Sequence, residues 1–237
     1  MPRFRTAIAA KVASEQREKQ GSAEAPGPSL ERMIQNLPLP ALKRFRALHQ
    51  RCFEMRAIAS GVRGRTDPAA DSAESVRTPA LDRLLFLFLK LLVTQAGLER
   101  FLKSTSEAEL KKRVEDVRTR LTAAQASGDE RVVLSLQDNL ADAELRVANY
   151  LKSGKDAEFV GIELDRIENK IQALVEMSVS RQDPDSLSHQ VTAAAESMQQ
   201  TEETVNQLQH LTGLADQLEE PPAILEADMS RLLAGRD

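Results

Sequence analysis

The sequence predicts an all-α protein, an antiparallel up-and-down helical bundle with coiled-coil-like long helices. Three observations predict it. From Leu110 to Leu208 apolar residues recur in alternating steps of three and four, the period of a helical seam. The stretch Pro79 to Leu102 is apolar on every side across its middle turns, so it reads as a helix covered by other helices. Aromatic residues are 3% of the chain, with no Trp and one Tyr, poor material for a sheet built on aromatic and β-branched side chains.

Residues 1–78 read as a basic N-terminal segment with a short helix near 40–60 and flexible linkers. Phe4 to Gln20 suits a basic amphipathic helix, and 21–29 has a linker's composition. Ser29 followed by Arg32 lacks the acid of a capping box, and Pro38 and Pro40 break a helix there. Beyond Pro40, Leu42, Phe45, Leu48, Cys52, Met55 and Ala59 keep helical spacing, with Lys43, Arg44, Arg46, Arg51 and Arg56 between them. Gly61 to Arg77 reads as a second loop.

Residues 79–213 read as the bundle. Thr78 before Pro79 suits a helix start, an N-cap hydroxyl followed by a first-turn proline. From Leu81 to Val93 only Asp82, Arg83 and Lys90 are polar. Ser106 and Glu109 form a capping box, and Leu110, Val114, Val117, Leu121 and Ala124 follow as a seam. Ser127-Gly128-Asp129 ends that helix and caps the next, whose seam is Val133, Leu136, Leu140, Ala143, Val147 and Tyr150. Gly154 and Asp156 read as another stop and start before Val160, Leu164, Ile167, Ile171 and Leu174. Asp183-Pro184 begins a last long helix with Leu187, Val191, Ala194, Met198, Thr201, Val205 and Leu208 inside. Residues 214–237 read as an acidic tail in which Ile224, Leu225, Met229, Leu232 and Leu233 make a short amphipathic helix after Pro221-Pro222.

The net charge of −4 conceals an asymmetry: residues 1–66 hold thirteen Lys and Arg against five Asp and Glu, whereas 182–237 hold two against eleven. Opposite ends of this kind attract each other, and the basic end attracts anionic surfaces. One cysteine, Cys52, allows no disulfide within the chain and suggests a cytoplasmic setting. The uncharged run Leu84 to Leu89 is far shorter than the roughly 20 residues of a membrane span.

No catalytic, cofactor or metal site is expected. His49 and Cys52 supply two ligands where a zinc site needs four. Glu163, Glu168 and Glu176 lie off the seam, and the chain has no Glu-x-x-His for a di-metal bundle. Phosphate-binding glycine loops and a nucleophile elbow are missing too.

In layout the chain is similar to the PspA and ESCRT-III class: a basic N-terminal part, long helical hairpins and an acidic tail with a short terminal helix. The similarity rests on no sequence motif, and it implies polymerisation on anionic membranes. The residues themselves favour a non-catalytic helical scaffold or adaptor mediating protein–protein interaction, with membrane-surface self-assembly as the alternative. The expected interaction residues are Leu84, Phe86, Phe88, Leu91, Ile224, Leu225 and Leu232. The expected partner is a protein or a second copy of the chain. The basic N-terminal part would meet an anionic membrane if the protein were peripheral to one, and nucleic acid is not expected.

Overall fold

The computed structural model describes residues 28–63, 68–179, 184–212 and 221–227. Its elements are α1 (Pro28–Gln35), α2 (Leu39–Arg63), α3 (Pro68–Ser104), α4 (Glu107–Ser127), α5 (Glu130–Val179), α6 (Pro184–Glu196) and α7 (Gln199–Thr212). There is no strand among the described residues, so the chain is all-α. No helix among them is long and apolar enough to cross a membrane.

The apolar helix is the hub. α3 packs against α1, α2, α5, α6 and α7. From Leu84 through Thr94 every residue is buried, the polar Lys90 included. A helix without a polar face is stable in water only inside such a collar. Its start differs from the expectation. Thr78 and Pro79 both lie inside a helix of 37 residues that begins at Pro68. A proline there withholds one N–H from the preceding turn. Pro79 itself is exposed. The loop expected over 61–77 is thereby replaced by the ends of α2 and α3, with only 64–67 between them.

α1 was not legible as a helix, since its ends carry no capping box. Leu30, Met33, Ile34 and Leu37 nevertheless fall on one face and are buried, and that burial outweighs weak ends in so short a helix. α2 buries Leu42, Phe45, Leu48, Cys52 and Met55 as its spacing predicts. Pro40 sits in its first turn, where the missing N–H has no helical partner to lose.

Ser106 caps α4 by accepting from the Glu109 N–H, at 3.4 Å. Gly128 ends the helix at φ 75°, its N–H returning to the Ala124 carbonyl at 3.2 Å. Asp129 Oδ1 then accepts from the N–H groups of Arg131 and Val132, opening α5. These caps match the expectation. Gly154 does not stop the helix: α5 runs unbroken for 50 residues, about 75 Å at 1.5 Å per residue. A glycine inside a helix costs only about 1 kcal/mol against alanine, and both flanking turns hold apolar residues that packing retains.

α5 thus serves two neighbourhoods. Its first half lies along α4, where Val117, Ala124 and Leu136 form a small cluster with Leu121, Val133 and Leu140 beside them. Its second half buries Val160, Leu164, Ile167, Ile171 and Leu174 in the main core, against α2, α3 and α6. α4 packs substantially on no described helix except α5. Phe101 of α3 and Tyr150 of α5, with ring centroids 6.4 Å apart, mark where the two neighbourhoods meet.

The last long helix is interrupted. α6 ends at Glu196 and α7 starts at Gln199, while the inward row Val191, Ala195, Met198, Thr201, Val205 and Leu208 continues through the break. Pro184 opens α6 as expected, whereas Asp183 and the side chain of Leu187 lie outside the described residues.

Candidate functional site

The expected interaction residues Leu84, Phe86, Phe88, Leu91, Ile224 and Leu225 are all buried within the chain, each exposed by 1% or less. As placed they build the core, and a partner could reach them only after the bundle opened. Leu232 lies outside the described residues, as do Met229 and Leu233.

Residues 221–227 of the acidic tail dock on the body. Pro221 to Ala227 form no α-helix but a turn, in which the Ala227 N–H bonds to the Ile224 carbonyl at 3.1 Å. Ile224 and Leu225 enter the main core. Two polar groups receive the backbone that comes with them. The Leu225 N–H donates to Asp82 Oδ1 at 2.7 Å, across 143 residues of sequence. His49 Nε2 stands 3.1 Å from the Ile224 oxygen, and since a carbonyl can only accept, Nε2 carries the proton. Arg56 adds an ion pair to Glu226 at 3.4 Å on the surface.

This environment shifts the groups involved. Burial pushes the Asp82 carboxyl above its ordinary value, against the hydrogen bonds from Leu225 and Ile224. Burial holds the His49 imidazole below its ordinary value, the Ile224 carbonyl opposing and Arg56 reinforcing that shift. The neighbouring Cys52 thiol is pushed up to about 12, chiefly by burial, and so is no nucleophile at neutral pH. Among the described residues, no three His, Cys, Asp or Glu side chains stand close enough to hold a metal ion.

The remaining buried polar groups tie helices together. Arg83 grips Glu202 through Nε and Nη2, at 3.1 and 2.7 Å. Further along, Lys90 donates to Asn206 Oδ1 at 3.1 Å and lies 4.7 Å from the centre of the Phe86 ring. Burial lowers the Lys90 pKa, partly offset by Glu202. Glu163, expected off the seam, is buried at its edge. It accepts from Thr201 Oγ1 at 2.7 Å and pairs with Arg166 at 3.2 Å. Arg44 of α2 reaches Asp165 and Glu168 of α5 and covers the Phe88 ring. Sequence reasoning passed over Asp82, Lys90 and Glu163 as sites. The available signal was a charged residue inside an apolar run, since such a residue is buried only with a partner.

Exposed large apolar side chains occur singly on the body, at Leu39, Phe53 and Ile162, and as a row along the first half of α5. Leu134 and Leu145 are 62% and 58% exposed, and Ala141 and Ala148 on the same stripe are exposed too. Leu151 continues the surface into a shallow groove between α4 and α5, beside Val114, Val147, Arg118 and Glu144. The stripe faces away from the seam that meets α4, and it holds four positions of the same three-four spacing. Nothing in the sequence distinguished it from the buried seams. No family model, curated protein or solved structure matches the chain.

Proposed function

We propose that the protein is a non-catalytic helical scaffold that presents one arm for protein–protein interaction. In this reading the chain is an up-and-down bundle. α3 and α4 run in succession in one direction, and α5 returns along both with coiled-coil-like packing. The pairs Arg118–Glu144, Phe101–Tyr150 and Glu163–Thr201 support opposite directions for the helices they join. The arm is α4 with the first half of α5. One observation carries the functional reading: large apolar side chains stand in solvent in a row on the arm, while the polar groups buried in the body each have a hydrogen-bond partner. The body's buried charged residues Asp82, Lys90 and Glu163 hold the tail or neighbouring helices, and the arm's apolar stripe lies exposed.

Membrane-surface assembly is the competing reading. Lys43, Arg46 and Arg51 lie exposed on α2 and give it a foothold beyond the N-terminal residues. Light scattering behind size exclusion, at low and high salt, with co-sedimentation on anionic vesicles, separates the two. A mass no larger than a dimer's at either salt, and no vesicle binding at low salt, is the expected result. Large salt-sensitive assemblies on vesicles would overturn the scaffold reading.

A further inference from the structure

We propose that the outer face of α5 in the arm pairs with the same face of a second copy running in the opposite direction. This deepens the scaffold reading and rests on the arm being the presented surface.

The face has a polarity along its length. Leu145 lies at its centre, flanked by Ala141 and Ala148. Asp138 stands two turns before Leu145, with Asp142 beside it, and Lys152 stands two turns after, with Lys155 beyond. All of these except the alanines and the leucine are charged, and all are exposed. Neither Asp138 nor Lys152 makes an ion pair or hydrogen bond among the described residues.

An occupant has to match an apolar centre with acid at one end and base at the other. The chain's own ends are poor matches. The tail beyond residue 213 is acidic and would repel Asp138 and Asp142, and the segment before residue 28 is basic and would repel Lys152 and Lys155. A second copy turned end for end fits both halves. With a two-fold axis at Leu145, Asp138 of each copy faces Lys152 of the other, and the two leucines meet between small alanines that permit close approach. A two-fold interface of this kind is self-complementary and closes at two copies. A parallel pairing would set like charges together, which disfavours it. The arm gains most from such pairing, because alone it buries a single seam between two helices.

The experiment is sedimentation of the full chain over a range of concentrations in low salt, with Asp138→Lys, Lys152→Glu, the double variant and Leu145→Asp. All three positions are exposed, and circular dichroism checks that the helices persist. The wild type is expected to dimerise, and each single variant to do so at least about tenfold more weakly. Mixing Asp138→Lys with Lys152→Glu is expected to restore the dimer, since each chain then offers the other two opposite-charge pairs. The double variant is expected to dimerise alone. A wild type that stays monomeric, or single variants that dimerise as well as it does, would overturn the pairing. Neither result touches the scaffold reading, which the vesicle and mass measurements test separately.

Discussion

The body and the arm use the same apolar spacing and reach different ends. In the body, α5 buries Val160, Leu164, Ile167, Ile171 and Leu174 to 3% exposure or less, because three other helices close over them. In the arm the equivalent row on α5 meets α4, and its last member, Tyr150, meets Phe101 of α3. There Val133, Leu140, Val147 and Tyr150 stay half-buried, and Leu134 and Leu145 remain outside. A heptad seam specifies that a helix has a partner face. How completely that face is dried depends on how many helices converge, which is a property of the whole chain.

The widest break in this comparison should come from truncating each cluster at its centre. Phe88→Ala removes a ring from the point where α2, α3 and Arg44 meet, and is expected to destabilise the protein by about 3–5 kcal/mol. Leu136→Ala in the arm's cluster is expected to cost about 2 kcal/mol, the low end for leucine, because its surroundings are sparse and partly wet. Urea unfolding of both variants measures the gap. Equal losses would mean that the arm is as tightly held as the body.

Polar deletions should repeat the contrast on a smaller scale. Thr201→Val withdraws the hydroxyl that donates to buried Glu163 and is expected to cost about 1–3 kcal/mol. Arg118→Ala breaks an ion pair of similar length, 2.7 Å to Glu144, on the exposed arm. Its expected cost is below about 1 kcal/mol, because water screens both partners. Denaturant midpoints decide it, and a larger loss for Arg118→Ala would reverse the comparison.

What the sequence made legible follows from the range of each signal. Caps act over a few residues, so Ser106, Gly128 and Asp129 could be read directly. Seams act over one helix, so Val160 to Leu174 could be read as buried. Asp82 and Lys90 were visible as charges in an apolar run, but their partners lie 143 and 116 residues away, beyond any local pattern. Pro79 carried the signal of a helix start and sits inside a helix, because the start at Pro68 lies in a stretch whose composition resembles a loop. The exposed stripe on α5 was hidden for the opposite reason: its spacing is that of a buried seam, and only the absence of a covering helix tells them apart.

The docked tail should give the body a pH response through His49 and Asp82. His49 has its folded-state value below the ordinary one of about 6.5. The unfolded chain therefore takes up the proton first, and stability falls as pH drops from about 6.5 to the folded value, then levels off. Asp82 has the opposite sign. Its folded-state value is raised, so the folded chain binds the proton first, and its contribution weakens as pH rises from the ordinary carboxylate value to the raised one. His49→Gln is expected to remove the decline just below pH 6.5 and to leave the opposite-signed change from Asp82 at lower pH, as read by urea midpoints across that range. A decline that survives in His49→Gln would place the response outside the tail's docking site.

The smallest expected effect probes the place where arm becomes body. Gly154 and Gly128 both carry the local signal of a helix end, and they differ in backbone alone. Gly128 sits at φ 75°, where an added Cβ is strained even though the space around it is open. Gly154 has helical neighbours on both sides and equally open space. Gly154→Ala is therefore expected to stabilise the protein by about 0.5–1 kcal/mol, since alanine loses less backbone freedom in a helix. Gly128→Ala is expected to destabilise it by about 1 kcal/mol, since L-residues disfavour the left-handed region. Thermal melts compare the two. If Gly154→Ala instead destabilised the chain, α5 would bend at that point in solution, and the arm would be hinged on the body rather than continuous with it.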